Sequence, residues 1–292
     1  MGGGKEKERS GRKRNPLLFI RGFLTSRRVS HFGEMKKRRK NIALFGLSAN
    51  PVTDRGGHGE IVKALLAMER IKMNGDDDDD DKLYDEVWIV PVYRHAFESK
   101  NDAMLKTKMP NFQQRCEMCE KQFSIPGEGK TSVKRVKVRR IELEATEWKR
   151  KVTGDADATI VGTFELLDYL KNVYEKESDD FEKRNIEYTF VMGKDAYDDL
   201  ISGKWIRGDE ILKTTNLVVV PRISSTAPTT ATATPAMIKE AKSVVFLDNI
   251  SGLRDVSSTA VREAISSGNK PSTIEELNPF VAEFIEENRL YK

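Results

Sequence analysis

The sequence predicts an α/β fold in which a parallel sheet is covered by helices on both faces. Two observations predict it. Short, continuous apolar runs bounded by turn residues are typical of buried parallel strands, and along this chain they alternate with segments whose apolar residues recur at helical spacing. Strands that alternate with helices favour a parallel sheet, and such sheets bind ligands at the carboxyl ends of their strands.

Five apolar runs are interpreted as buried strands, and a sixth segment is strand-like because basic residues alternate with apolar ones in it. The buried strands are predicted at Asn41–Ser48, Val87–Tyr93, Glu187–Met192, Asn216–Pro221 and Ser243–Leu247, and the strand-like segment is Val133–Glu144. Helices are predicted at His58–Met73, Asn111–Phe123, Thr163–Tyr174, a segment that begins at Asp195, Ser257–Ser266 and Asn278–Asn288. The first helix, for example, carries Ile61, Leu65 and Met68 on one face.

Charge divides the chain into two parts. The formal net charge is +4, from 50 basic and 46 acidic residues, but residues 1–40 alone hold 14 basic and three acidic side chains. The remaining residues are therefore acidic on balance, which argues against a nucleic acid as partner. We predict a basic N-terminal extension over residues 1–40, and one domain over residues 41–292 with loop insertions near 75–82 and 224–236.

The extension has three interpretations that the sequence leaves open. It is rich in arginine and poor in acid, as organelle leaders for mitochondria or plastids are, although Glu6 and Glu8 weaken that match. The runs GRKR and KKRRK would equally serve as nuclear addresses. A disordered tail on a cytoplasmic protein is the third interpretation.

Composition excludes several classes of protein. Two cysteines and three histidines are too few for a disulfide scaffold or for most all-protein metal sites, and an intracellular, reducing location follows. No apolar run approaches the roughly 18–20 residues that span a bilayer, so no membrane partner is expected. Cys116 and Cys119 form a CxxC inside a predicted helix, where a packing role is expected. The acidic run Asp76–Asp81 is interpreted as a solvated loop.

The first candidate ligand-binding segment is GLSANPVTDRGGHGEIV, residues 46–62. Glycines let a backbone approach a ligand closely, and a helix N-terminus presents unpaired amide donors to an anion. His58, in the first helical turn, would add a hydrogen bond to a phosphate oxygen. The segment taken alone is equally consistent with an ordinary turn between a strand and a helix.

The second candidate segment is DVSSTAVREAI, residues 255–265. Ser257 and Ser258 are both good N-cap residues, and Arg262 lies four residues after Ser258 on the same helical face. Hydroxyls, free amides and one guanidinium on a single turn could hold a polyphosphate. A capped surface helix with an exposed arginine is the alternative.

Taken together, the two segments resemble the signatures of the nucleotidylyltransferase superfamily, GxFxPxHxGH near the start and ISSTxxR near the end. Between them, VMGKDAYDDLISGKW at 191–205 is similar to the GxDxxxxL…W segment of nicotinate and nicotinamide mononucleotide adenylyltransferases. The resemblance runs from about Asn41 to Lys292 in the family's order. It implies a Rossmann-like fold of the nucleotidylyltransferase type and adenylyl transfer from ATP to a pyridine mononucleotide. It also implies Mg²⁺ with the ATP, and it leaves a homo-oligomer open.

The resemblance also implies roles for individual residues. His58, Arg262 and Thr53 are the candidate catalytic residues. ATP would be bound by Gly46, Leu47, Ser48, Asn50, Gly57, His58, Gly193, Asp195, Ser258, Thr259 and Arg262. The mononucleotide would be bound by His95, Lys100, Thr163, Trp205 and Trp148, where the tryptophans are stacking candidates. No residue of the chain is predicted to bind a metal ion directly.

One departure from the family's pattern bears on activity. Thr53 stands where the first signature histidine is expected, and two additional residues separate it from Gly57 and His58. A threonine hydroxyl can donate a hydrogen bond but cannot carry positive charge. The sequence leaves three outcomes open: slower catalysis, a loop rebuilt with Asp54 and Arg55, or a nucleotide-binding protein without turnover. Another transferase of the superfamily, acting on pantetheine phosphate or transferring cytidylyl groups, is the alternative enzyme.

Overall fold

The computed structural model describes residues 39–69, 82–94, 108–123, 135–158, 160–176, 185–221, 241–247 and 250–292. Within these ranges six strands form one sheet in the order β3-β2-β1-β4-β5-β6. The strands are β1 (Lys40–Leu47), β2 (Glu86–Pro91), β3 (Val136–Val138), β4 (Ile186–Gly193), β5 (Asn216–Val220) and β6 (Ser243–Phe246). Every neighbouring pair is parallel, so the predicted α/β fold with a parallel, Rossmann-like sheet is confirmed.

The chain reverses its direction of travel across the sheet at β1. Strand β1 pairs with β2 on one side and with β4 on the other, and it leads into the first glycine-rich segment. Open parallel sheets bind their ligands at such a switch point, outside the carboxyl ends of the strands. The topology therefore places the loop after β1 at the centre of the expected ligand edge.

Eight helices in the described ranges cover the sheet. They are α1 (His58–Ala67), α2 (Phe112–Phe123), α3 (Ile141–Thr153), α4 (Thr163–Tyr169), α5 (Lys194–Ile201), α6 (Gly208–Thr214), α7 (Ser258–Ser266) and α8 (Pro279–Glu287). A π-helical turn, Leu170–Tyr174, continues α4, and a 3₁₀ turn, Pro271–Thr273, precedes α8. Asn278 caps α8 through its side chain, and Pro279 follows at the first helical position, where a missing N–H costs nothing.

Side chains alternate across the strands and divide the core into two layers. One layer packs residues such as Ala43 and Phe45 of β1 against α1, α2, α7 and α8. The other layer packs Ile42 and Leu44 of the same strand against α3 to α6 and the π-helical turn. Both faces of the sheet are thus apolar, which explains why its strands read as continuous apolar runs in the sequence.

Two carboxylates, one buried and one partly buried, join the strands at the edge opposite the ligand edge. Glu86 is 8% exposed and accepts hydrogen bonds from Lys137 and from Trp88 Nε1, with Lys40 2.8 Å away. Glu187 accepts from Arg39, Asn216 and Lys242, and these partners outweigh burial and lower its pKa to about 2. Each of the strands β1 to β5 contributes a side chain to one of these two clusters. Ion pairs and hydrogen bonds therefore connect the strands near their amino ends.

The structure corrects the prediction for residues 133–144. Only Val136–Val138 is a strand, and α3 begins already at Ile141, so the predicted strand Val133–Glu144 is wrong over its second half. Helix α3 gives no start signal in the sequence because its N-cap is Arg140, whose side chain makes no capping hydrogen bond. Helix α6 was not predicted either, since its N-cap is Arg207 in a left-handed conformation with φ of 56°.

Several predictions fall outside the described residues. They concern the basic extension up to residue 38, the acidic run Asp76–Asp81, the second insertion, the substrate-binding candidates His95 and Lys100, and the last four residues of the predicted helix His58–Met73, which in its described part ends at Ala67 instead of continuing through Met68. The domain boundaries therefore stay predictions. None of the helices in the described ranges is long and apolar enough to cross a membrane.

Candidate functional site

The loop after β1 turns sharply at Ala49, whose φ is 51°, and continues through a cis peptide bond between Asn50 and Pro51. Leu47 and Asn50 are buried, while Gly46 and Ser48 keep part of their surface exposed. The side chain of Asn50 has one buried atom, Oδ1, without a hydrogen-bond partner. The predicted ATP-binding residues of this loop therefore offer backbone and amide groups at the carboxyl end of the central strand.

Thr53 and His58 are in direct contact. Thr53 is only 1% exposed, and its Oγ1 lies 2.8 Å from His58 Nδ1 and 3.3 Å from the His58 backbone nitrogen. The Thr53 backbone N–H also donates to Nδ1, at 3.1 Å. Because Nδ1 accepts that hydrogen bond, the proton of the neutral ring is on Nε2, which remains available as a donor.

Gly57 is required by this contact. A Cβ at position 57 would lie 2.1 Å from Thr53 Oγ1, closer than any side chain tolerates. The second glycine of the motif thus allows the threonine hydroxyl to reach the histidine ring. The sequence predicts that the Thr53 hydroxyl forms a hydrogen bond, and in the structure its partner is the His58 ring.

His58 is neutral at physiological pH. Desolvation by the surrounding protein lowers its pKa from 6.5 to about 4, although the residue as a whole keeps part of its surface exposed. The folded protein therefore takes up no proton at His58 between pH 6.5 and 4, whereas the unfolded chain does. Stability contributed by the neutral ring is present above pH 6.5 and is lost as the pH falls toward 4.

We expect this titration to be measurable as a pH dependence of stability. Urea unfolding at pH 7.5 and at pH 5 should give a larger loss of unfolding free energy for the wild type than for His58→Gln, which cannot titrate. Carboxyls such as Glu142, whose pKa burial raises to about 7, are present in both proteins and cancel in the comparison. Equal losses in the two proteins would show that His58 keeps an ordinary pKa in the folded state.

Helix α7 brings the second candidate segment against the first. Ser257 caps the helix by accepting a hydrogen bond from the Ala260 N–H. Ser258 Oγ donates to the Pro51 carbonyl at 2.8 Å, and Arg262 Nη1 donates to the Asn50 carbonyl at 2.7 Å. Arg262 Nη2 also donates to Thr259 Oγ1, at 3.0 Å. Two segments about 200 residues apart in the chain are thus in contact at the carboxyl end of β1.

The inserted residues of the first loop are held by other parts of the protein. Asp54 Oδ1 accepts a hydrogen bond from Gln122 Nε2 at 2.8 Å, and the Asp54 N–H donates to the Glu276 carbonyl. Arg55 is 66% exposed and lies 3.9 Å from Glu275, which also pairs with Arg254. Asp54 therefore anchors the loop, and Arg55 is an exposed charge at its rim.

The remaining predicted binding residues lie at the end of β4, in or near α3 and α4, and after α5. Gly193 and Asp195 are exposed at the carboxyl end of β4 and the start of α5. Thr163 begins α4, and Arg207 stacks 3.6 Å above the ring of the next residue, Phe164, so the segments around Thr163 and Trp205 are adjacent. Trp205 is partly buried against the second core layer. Trp148 also packs there, with its ring 5.8 Å from Tyr169.

Comparison with known proteins gives a family. The model of the family described as Cytidylyltransferase-like matches residues 81–264, more than half of the chain. The chain belongs to the Cytidylyltransferase-like family. The match begins after the first glycine-rich loop and ends inside α7, so it includes Arg262. The predicted nucleotidylyltransferase relationship is confirmed.

Solved structures give the same fold. Nicotinic acid mononucleotide adenylyltransferase from Plasmodium falciparum, complexed with NaAD, is similar with a TM-score of 0.56 and 16% identity, over 86% of this chain and 97% of that one. The complex of the same Plasmodium protein with APC gives a TM-score of 0.55 over the same shares. A comparison with curated protein sequences found no significant match. This Cytidylyltransferase-like chain is therefore of the nucleotidyltransferase class, with the fold of those structures.

Sequence reasoning missed two charged residues, one buried and one partly buried, at the ligand edge of this Cytidylyltransferase-like fold. Arg115 of α2 is 3% exposed, and Glu142 lies in the first turn of α3, where burial raises its pKa to about 7. The only available signal was the position of Arg115 on an otherwise apolar face of α2. Arginine and glutamate are almost never fully buried unless they are paired, so a sequence alone assigns both to the surface.

The cysteines of α2 are unsuited to chemistry. Cys116 and Cys119 are both free and buried, and desolvation raises the pKa of Cys116 to about 11 and that of Cys119 further still. Thiols, rather than nucleophilic thiolates, are therefore present at neutral pH. The described residues also contain no cluster of three or more His, Cys, Asp or Glu side chains that could hold a metal ion.

Proposed function

We propose that the protein transfers the adenylyl group of ATP to nicotinate or nicotinamide mononucleotide, which forms a dinucleotide and pyrophosphate. The observation that carries the proposal is the contact of Arg262 and Ser258 with the Asn50–Pro51 loop. It joins a glycine-rich loop, a helix N-terminus and a guanidinium at the carboxyl end of the central strand. This is the combination that a triphosphate requires.

The reaction needs positioning and charge neutralisation rather than a covalent intermediate. A phosphate oxygen of the mononucleotide attacks the α-phosphorus of ATP, the new P–O bond forms, and the bond to the bridging oxygen of the β-phosphate breaks. Pyrophosphate leaves with the electron pair of that bond. His58 Nε2–H would donate to an oxygen of the transferred phosphate, and Arg262 would neutralise the β- and γ-phosphates together with Ser258 and Thr259.

The adenosine and the acceptor would occupy the two sides of this triphosphate. Gly193 and Asp195, exposed at the start of α5, are suited to the ribose or the base edge. Trp205 and Thr163, on adjacent segments, would hold the pyridine nucleotide, and His95 and Lys100 would extend from the segment after β2. Trp148 is partly buried, with its ring 5.8 Å from that of Tyr169, and we propose for it a contact with the edge of the acceptor only.

The substrate would be MgATP, with the metal bound to its phosphates. The described residues offer no three-carboxylate or histidine cluster for a resident ion, and the predicted role of Mg²⁺ requires none. The chain's own cations, Arg262 foremost, would then share the neutralisation of the triphosphate. This division of roles leaves the protein to orient the phosphates.

A second candidate function has an observation in its favour. The family model that matches the chain is described as Cytidylyltransferase-like, which favours transfer of a cytidylyl group from CTP as the alternative. The similar Plasmodium structures are nicotinic acid mononucleotide adenylyltransferases and favour the pyridine nucleotide. A binding protein without turnover is a third outcome, because Thr53 replaces a histidine.

A pyrophosphate-release assay on the full chain separates these functions. MgATP is supplied with nicotinate mononucleotide, nicotinamide mononucleotide or 4′-phosphopantetheine in separate reactions, and MgCTP with choline phosphate or glycerol 3-phosphate. We expect turnover only in the reactions that contain MgATP and a pyridine mononucleotide. The ratio of kcat/KM for nicotinate mononucleotide to that for nicotinamide mononucleotide then ranks the two substrates. Turnover only with CTP, or ATP binding seen as a raised Tm without any release, would overturn the proposal.

The contact between Thr53 and His58 gives a prediction for this assay. Thr53→Val removes the hydroxyl that touches Nδ1 and accepts the His58 N–H, so we expect kcat to fall about tenfold as the ring loses its orientation. Loss of the hydrogen bond should also lower the unfolding free energy by about 1–2 kcal/mol, measured with urea. Thr53→Ser keeps the hydroxyl and should stay near wild type. A Val variant with full kcat would show that Thr53 does not orient the ring.

A further inference from the structure

Arg115 reaches from α2 into the gap between the loops that follow β1 and β2. Its Nη1 donates to the Ser48 carbonyl at 3.0 Å and to the Val92 carbonyl at 2.6 Å. Its Nη2 donates to the Tyr93 carbonyl at 3.2 Å. One buried guanidinium therefore binds three backbone oxygens, one from the first loop and two from the second.

Tyr93 is held from the other side as well. The carboxylate of Glu142, at the start of α3, accepts a hydrogen bond from the Tyr93 N–H at 2.7 Å. The Tyr93 ring packs edge-on against Phe112 of α2, with 5.0 Å between centroids, and Arg115 lies 5.5 Å from the same Phe112 ring. Both backbone groups and the ring of Tyr93 are thus fixed by α2 and α3.

This arrangement is more than filling of the core. A buried charge is costly unless it is paired or fully hydrogen-bonded, and an apolar side chain of similar volume would fill the space without that cost. What the guanidinium adds is a rigid, planar set of donors that spans two loops. The hydrogen bonds of Arg115 end on the backbone of those loops rather than on side chains of the core.

We propose that Arg115 is a positioning residue that fixes the loop after β1 relative to the loop after β2, so that ATP and the acceptor mononucleotide meet at one separation. The inference rests on the proposed function, because Ser48 belongs to the candidate ATP loop and Tyr93 leads to His95 and Lys100. Glu142 completes the arrangement by holding the second loop. A misplacement of about 1 Å between two reactants can cost 10²-fold in rate.

Kinetics of variants test the proposal. We expect Arg115→Met to lower kcat about 10²-fold while the Kd for ATP, measured by calorimetry without acceptor, changes less than threefold. Arg115→Lys should recover part of the loss because its ammonium still reaches a carbonyl. Glu142→Leu frees only the second loop and should raise the acceptor KM while leaving the Kd for ATP unchanged. The control Met118→Ala, buried on the same helix, should lower Tm but keep kcat within threefold.

A second measurement does not depend on turnover. Hydrogen–deuterium exchange of Arg115→Met should become faster in both residues 46–50 and residues 91–93, whereas Met118→Ala should leave both unchanged. Faster exchange in one loop only, or kcat losses that match those of Met118→Ala at equal Tm, would overturn the positioning role. If the wild type shows no turnover with pyridine mononucleotides, the proposed function fails, and the exchange result still decides the role of Arg115.

Discussion

His58→Ala should lower kcat for pyrophosphate release by about 10²–10³-fold, the usual loss when one donor to a developing charge is removed. The physical reason is the state of the ring. Burial lowers the His58 pKa to about 4, and Nδ1 accepts hydrogen bonds from Thr53, so the neutral ring presents only Nε2–H to a ligand. Alanine removes that donor. The KM for ATP should change less than kcat, because in the proposed reaction the donor acts on the transferred phosphate.

The controls separate the donor from the fold. His58→Gln keeps an amide N–H near the position of Nε2 and should recover at least tenfold of the lost kcat, whereas His58→Phe fills the space without a donor and should not. All three variants are compared by Tm, because alanine also removes the ring nitrogen with which the Thr53 N–H and hydroxyl interact. Equal kcat for the Phe and Gln variants would rule out a hydrogen-bonding role for His58.

Arg262→Ala should lower kcat to a similar extent, about 10²–10³-fold, and should also weaken ATP binding. Within the described ranges the guanidinium has only neutral oxygen acceptors, the Asn50 carbonyl and Thr259 Oγ1, so its positive charge is available to an anion. In the proposed reaction that charge is needed most when pyrophosphate leaves. The measurements are kcat and KM for ATP in the pyrophosphate assay, and Kd by calorimetry.

Three further variants show whether the effect of Arg262→Ala comes from the lost charge or from the lost attachment of the loop. Ser258→Ala removes a hydrogen bond from α7 to the same loop, at Pro51, without removing charge, and it should cost less than tenfold in kcat. Arg262→Lys should fall between Ser258→Ala and Arg262→Ala. Arg150→Ala, at the far end of α3, is the matched loss of an arginine and should be neutral. If Ser258→Ala and Arg262→Ala were equally damaging, attachment of the loop rather than charge would explain both.

Much of the fold could be predicted because the sheet is buried on both faces. A parallel strand such as Asn216–Val220 is apolar on both faces after its first residue, and that property can be read from the sequence without knowledge of the neighbouring strands. The start of α3 was not legible. The strand before it, Val136–Val138, has only three residues, and two arginines join that strand to a helix without a capping side chain. The alternation of basic and apolar residues therefore continues in the sequence from the strand into the helix.

The candidate site shows the same division. The segments around His58 and Arg262 could be found because each carries a local signal, glycines before one helix and hydroxyls at the start of another. Their contact, from Arg262 to the Asn50 carbonyl, followed only from a resemblance. The position of Arg115 on an apolar helix face signalled burial, but nothing local pointed to its partners, because these are backbone carbonyls 67 and 22 or 23 residues away, and any sequence supplies carbonyls.

The order of the strands along the chain also governs how the molecule is made. Strand β1 leaves the ribosome early, yet one of its two edges is covered only when residues 186–193 have followed. Until then one edge of an apolar strand has unpaired backbone N–H and C=O groups. Such an edge promotes aggregation, which chaperones prevent. Ser258 and Arg262 emerge later still. When β6 has emerged, the chain holds all six described strands but not yet α7, so a product truncated before Ser258 would lack the second segment of the candidate site.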